Sequence, residues 1–392
     1  MTEVWERTSA FLTRGARANI STAEDGESTP MTVYKDYEAP SAESRHLHAS
    51  SWSKPVDTPR SLWSWSEALA LPSALDGMPI FSTSLGCLDA PHFYQNQTNG
   101  VTFSIPMATP MNHVELDLRG GAVGTLLITT SETPDLQLQL TVRADEHDLA
   151  QHIEVQVPVP DDKGHVSASH ALVFTPNRGY LGMHCMRFDA VLRVPRALRT
   201  LTLHTYTLTH VLFDPSAHVE LEDLSLFMMN QEPGNILLPH GGVRAARFTV
   251  DALAGWIAGE IPVTDHATVI ARSDTRTRLV VRPTTVGQAD SRVGLQTVNE
   301  RGRMDVIVER DDRTRPIRAR HDSSFMAELF LIYDKANFDG HIELDAWQAE
   351  AHNVHGAVGD NPGKWGDLWA GTRNGPDEVK VNAQGAWVGL FF

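Results

Sequence analysis

Four short runs in the middle of the chain share one rhythm. In "LRTLTLHT", "LEDLSLFM", "VRAARFTV" and "DHATVIAR", the residues Leu203, Leu226, Phe248 and Ile270 stand 23, 22 and 22 residues apart. Nine or ten positions after each comes a second apolar or strand-like mark, at Leu212, Ile236, Ile257 and Leu279. Each unit therefore reads strand, polar turn, strand, connection. A fixed period of this length marks a stacked repeat, in which a unit covers its apolar face only against its neighbours. The expected architecture is a β-solenoid or β-roll-like stack of strand–turn–strand units. The alternative is a β-sandwich, whose hairpins also recur at regular intervals. Near-equal spacings favour stacking, and they place Leu203, Leu226, Phe248 and Ile270 inward on neighbouring strands.

The rest of the body agrees on class. "VELDLRG" (114–120), "LQLQLTVRA" (136–144) and "IEVQVPVP" (153–160) alternate apolar and polar residues, as half-buried strands require. Sustained helical periodicity is absent, so the class is all-β. Residues 1–80 differ: "STAEDGESTPMTVYKDYEAPSAESRHLHASSWSKPVDTPRS" is dense in Ser, Thr, Pro and acidic residues. A segment with so little to bury cannot offset the entropy of ordering. The division expected is a largely disordered arm over 1–80 and an all-β body over 81–392, with its clearest repeats in 188–358.

Charge narrows the partners. A net charge of −16 over 392 residues argues against nucleic acid and against anionic membrane. No apolar stretch approaches the length of a membrane span, and no signal peptide is visible at the N-terminus. Two cysteines, Cys87 and Cys185, are too few for a stapled secreted scaffold. They read better as buried thiols, and the expected location is the cytoplasm.

The pattern over 188–358 resembles a fungal adhesin-like domain of unknown function, related to bacterial adhesin-type β repeats. "FDAVLRVPRALRTLTLHT" is similar to that family's lead-in strand, and "ALAGWIAGEI" with "ATVIARSDTRTRLVVRP" to its central pair of units. "RARHDSSFMAELFLIYDKANFDGHIELDA" resembles a late unit in which a turn opened by the histidine precedes the L-x-L-x-Y strand. The resemblance implies a β-repeat fold without established catalytic residues, and a cell-surface setting by analogy alone.

Candidate sites are sparse. Among the histidines, His147 with His152, His165 with His170, and His352 with His355 are spaced closely enough to suggest metal pairs. Such pairs need a helix to present both rings on one face, and these segments read as strands and loops. No metal and no cofactor is expected. Glu220, Glu222 and Asp223 cluster at a rung start, where two carboxylates could serve sugar hydrolysis. No second cluster stands one unit on, so a solvated turn is the preferred reading. The Arg-rich stretch 301–320 is interleaved with acids and reads as a solvated loop. "GDNPGKWGD" lacks the Ser or Thr of a phosphate loop, and no nucleophile motif occurs. Trp347, Trp365 and Trp369 are the candidate ligand-contacting aromatics, with capping of the stack as the competing role. The sequence thus predicts a non-enzymatic structural or interaction module with a protein or glycan partner. The alternative is a carbohydrate-binding or carbohydrate-active β-helical protein.

Overall fold

The computed structural model describes residues 74–107, 112–163, 166, 169–176, 185–284, 292–310, 315–356 and 367–392. Residues 1–73, hence nearly all of the expected arm, lie outside them. The described chain is a single hydrogen-bonded network of 23 strands with one five-residue α-helix.

Two short strands come first, β1 (His92–Phe93) and β2 (Val101–Ile105). Next are β3 (His113–Gly120), β4 (Val123–Thr130), β5 (Leu136–Ala144), the helix α1 (His147–Gln151), β6 (Glu154–Gln156) and β7 (His170–Thr175). The regular region contains β8 (Met186–Val194), β9 (Thr200–Thr205), β10 (Thr209–Phe213), β11 (Val219–Met228), β12 (Ile236–Leu238) and β13 (Val243–Ala252). It continues with β14 (Trp256–Ala271), β15 (Arg276–Pro283), β16 (Val293–Asn299), β17 (Gly302–Val308), β18 (Ile317–Ser323) and β19 (Ala327–Ile332). β20 (Gly340–His352), β21 (His355–Gly356), β22 (Leu368–Ala370) and β23 (Asp377–Phe391) follow.

Pairing sorts these strands into two layers. One runs β5-β8-β4-β10-β12-β14-β15-β17-β19-β23-β20. The other runs β6-β7-β3-β9-β11-β13-β14-β16-β18-β23-β20-β22-β21. Because β14 and β23 belong to both layers, β14, β15, β17, β19, β23, β18 and β16 close a ring of seven strands. Between coils every pairing is parallel. Parallel neighbours need a full turn of chain between them, so hairpins cannot build this stack and the sandwich alternative falls. Antiparallel pairing is confined to the ends, where β5 with β1 and β2, β6, and β21 with β22 cover the terminal coils. Such covering blunts edges that would otherwise recruit further strands.

The repeat positions fall close to expectation. Leu203 pairs in register with Leu226, and the ladder continues through Val250 and Val269. Phe248 is buried but sits two residues before Val250, while Ile270 lies one past Val269 and is only half-buried. A register shift between Ala245 and Arg247 on β13 moves the frame. The one-residue slip at Ile270 turns that side chain to the opposite face. In the opposing layer Leu212 likewise faces outward, and Val211 takes its place beside Leu237 and Ile257. Between the layers one continuous apolar cluster extends from Ile105 to Leu390. Full burial of each aliphatic side chain there contributes roughly 1.5–3 kcal/mol.

Two expectations are overturned. Cys87 and Cys185 are not free thiols; they form a disulfide with a Cα–Cα distance of 5.4 Å. The bond belongs to a strap, residues 74–93, laid across the outer face of the first layer. Along it, Ala74 N–H bonds Asp305 on β17, Arg276 on β15 bonds the Asp76 carbonyl, and Ser82 N–H bonds His210 on β10. Fully buried Arg187 on β8 then donates to Ser82 O and Gly86 O, just before the disulfide. The described part of the Arg-rich stretch is likewise not a solvated loop, since most of it lies in β17 and β18. Arg310 and Arg315 are buried, because Arg310 pairs with Asp377 at 2.9 Å and donates to the carbonyls of Ala336, Asn337 and Arg315. Asp377 also accepts the N–H groups of Ile317 and Asp339, so a fully satisfied ion pair ties β18, β20 and β23 together.

Candidate functional site

Alternation in "HVELDLRG" sends Val114, Leu116 and Leu118 into the core and leaves Glu115, Asp117 and Arg119 on the outer face of the second layer. β7 and β9 flank β3 in parallel register, opposing His170 to Glu115 and His204 to Asp117. Three neighbouring strands thus carry two carboxylates and two imidazoles to one spot. His204 Nδ1 lies 2.9 Å from Asp117 Oδ1 and 3.2 Å from Glu115 Oε1, and His170 Nε2 lies 3.3 Å from Asp117 Oδ2. Glu115, Asp117 and His170 offer ligand atoms within 4.8 Å of one another.

Asp117 lies at the centre, its side chain 1% exposed although it is on an outer face. Burial works to raise its pKa. Hydrogen bonds from His204, Arg119 and His170 outweigh burial and hold the carboxyl below its ordinary range. Arg119 bonds Asp117 from the solvent side and leans over the Tyr206 ring at 4.6 Å. The His204 ring packs 4.9 Å from Phe227. The carboxylate is therefore ionised, walled in and oriented, with one nitrogen donor on each side. Nitrogen and oxygen donors in this number could hold a divalent metal.

The residues singled out from sequence scatter. His170 is in the cluster, but its expected mate His165 lies outside the described residues. His147 and His152 sit at the two ends of α1 and bond Gln151 and the Asp148 carbonyl separately. His352 stacks on Phe391, and His355 lies near Trp369. Glu222 pairs with Arg199 and Asp223 with Arg247. Glu220 lines a groove of about 630 Å³ with Glu260, Arg196, Arg244, His218 and His240, where no described tryptophan contributes.

Trp369 on β22 lies under the Arg373 guanidinium at the covered end of the stack. Trp365 lies outside the described residues. Trp347 is 64% exposed at the bulge where β20 passes from one layer to the other. The corner two strands away carries Phe325 and Met326, 74% and 64% exposed. Gly385, on the β23 corner between them, is covered by Phe325: a Cβ there would come 2.8 Å from the ring. Sequence reading passed over Glu115, Asp117, Arg119 and His204. The alternation of "HVELDLRG" was the one available signal, and it gives a face without naming its neighbours.

Comparison with known proteins adds little. No family model matches the chain, and no curated protein does. The fungal adhesin-like resemblance has no family match behind it. Two solved structures align over most of the chain. A candidate adhesin from Bacteroides fragilis shows 9% identity and a TM-score of 0.33, covering 75% of this chain and 98% of its own. A candidate cell adhesion protein from Clostridium sporogenes shows 11% identity and a TM-score of 0.23, covering 74% and 98%. Similarity at this level defines neither a family nor a function. The class of protein is set by the fold itself: an all-β, two-layer solenoid of parallel coils. Among the described residues no helix is long and apolar enough to cross a membrane.

Proposed function

We propose that the chain is a non-enzymatic β-solenoid serving as an interaction module, with its contacts on the outer faces and corners of the stack. One observation carries this reading. The interior between the layers is filled with side chains, and the groups displaced furthest in pKa, His321 and Tyr333, are sealed inside it. Catalytic groups with displaced pKa values belong in a cleft open to substrate. Along the outer faces, carboxylates are matched to basic groups strand by strand, as in Arg272–Asp251, Arg320–Asp322 and Lys380–Glu343.

A carbohydrate ligand is the second reading, favoured by the exposed aromatics Trp347 and Phe325 on nearby corners. Aromatic faces stack on the apolar faces of sugar rings. The disulfide supports an oxidising location, the cell surface included, over the cytoplasm. The test is a glycan array probed with the intact chain beside Trp347→Ala, run in parallel with a panel of polysaccharide-hydrolysis assays. Binding without turnover is expected, and loss of glycan signal in Trp347→Ala would assign the ligand to that corner. Measurable hydrolysis that survives purification to homogeneity would overturn the non-enzymatic reading.

A further inference from the structure

We propose that Glu115, Asp117, His170 and His204 form a binding site for one divalent transition-metal ion of the zinc class. The donor set is the first argument. Two imidazole nitrogens with two carboxylate oxygens suit zinc, whereas calcium and magnesium take oxygen ligands.

Spacing is the second. Donors bound at about 2.0–2.1 Å around a tetrahedral ion stand roughly 3.3 Å from one another. The nitrogen–oxygen separations here are 2.9, 3.2 and 3.3 Å. These contacts use both Asp117 oxygens, Oδ1 toward His204 and Oδ2 toward His170, and the ligand groups that lie within 4.8 Å of one another are Glu115, Asp117 and His170. Side-chain rotation would bring His204 in as the fourth donor.

Preorganisation is the third. Each ligand projects from a strand held within a parallel sheet, with β3 between β7 and β9. Asp117 Oδ1 faces His204 while Oδ2 faces His170 and Arg119, so one carboxylate links both histidines. The outer interactions continue this order. Phe227 fixes the His204 ring, and Arg119 steadies the far side of Asp117. Partners of this kind orient metal ligands and tune their basicity.

Charge is the fourth. Neutralising buried Asp117 requires only Arg119, and that pair alone would account for an ordinary outer-face ion pair. Glu115 is then a second carboxylate beside two imidazoles. Two carboxylates therefore face the single guanidinium of Arg119, and a bound cation would balance the second. An approaching cation meets Arg119, whose side chain is 47% exposed and already rests against Tyr206. It can yield outward without moving a strand.

The test uses the full chain, free of any polyhistidine tag and stripped with chelator. Zn²⁺ is titrated calorimetrically, and Co²⁺ is added separately to read ligand-field absorption. One Zn²⁺ per chain is expected, with Co²⁺ giving a spectrum of mixed nitrogen and oxygen coordination. His170→Ala and His204→Ala should each weaken binding at least tenfold, and Glu115→Gln several-fold. His352→Ala, at a half-buried histidine on β20 outside the cluster, should bind as the native chain does. His170 and Glu115 point outward, so their variants should keep the native thermal midpoint, which separates ligand loss from unfolding. The proposal is overturned if the native chain binds no Zn²⁺, if the histidine variants bind it equally well, or if Ca²⁺ competes at equal concentration.

Discussion

In the inward ladder running Leu226, Val250 and Val269, the next two places are taken by Thr297 and His321. His321 is fully buried, with one ring nitrogen 2.8 Å from Thr297 Oγ1 and the other 2.8 Å from Tyr333 Oη. Burial pushes its pKa down to about 3, and pushes that of His210, beneath the strap, down to about 4. Unfolded histidines titrate near 6.5. The unfolded chain therefore binds more protons than the folded one between those values. The stability these neutral rings provide is complete above pH 6.5 and falls as pH drops toward 4. In urea melts, the native midpoint should decline over that window more steeply than that of His321→Asn combined with His210→Asn. Equal slopes would mean the two rings do not titrate as described. His321 also shows where sequence reading stops. Its neighbours "HDSS" suggested a turn, yet it lies within β18 and the chain turns only after Ser323. A polar residue in a stacked core looks like a turn residue until its partner, Tyr333 on the following segment, is known.

At the scale of elements, the strap and its disulfide stand out. The bond closes a loop with a sequence separation of 98, fastening the strap beside β8. In the chain-entropy account, a loop near 100 residues stabilises by about 4.7 kcal/mol. Cys87→Ser with Cys185→Ser should lower the unfolding free energy by roughly 3–5 kcal/mol, as should reductant acting on the native chain. Denaturant titration of the three samples checks this, and an unchanged midpoint would show that Arg187 and His210 hold the strap alone. The pairing was not legible in the sequence, because two cysteines so far apart meet only through coil order. The candidate metal cluster was hidden for the same reason. His170 and His204 flank β3 only because β7 is laid on one side of it and β9 on the other. What the sequence did carry was local: alternation, the repeat period, and the inward positions of Leu203 and Leu226.

The described body is a stack whose order in space departs from its order in sequence at both ends. β7 and β8 lie outside β3 and β4, and β23 lies between β18–β19 and β20. Deleting Asp377–Phe391 would leave β20 facing β18 and β19 across an empty strand width, with Arg310 buried and unpaired. Such a chain should lose the sharp thermal transition of the native protein in circular dichroism and elute early in gel filtration. A sharp native-like transition would show that β20 can dock directly. The same arrangement bears on how the molecule is made. Domains generally fold as units during synthesis, N-terminal parts first, and distant pairings are slow to form. An ordinary solenoid can lengthen coil by coil as the polypeptide leaves the ribosome. Here β20 emerges before β23, yet its place in the finished stack exists only once β23 has slotted in. The ribosome therefore delivers the outermost coil ahead of the one that supports it, and that end of the stack must close by insertion.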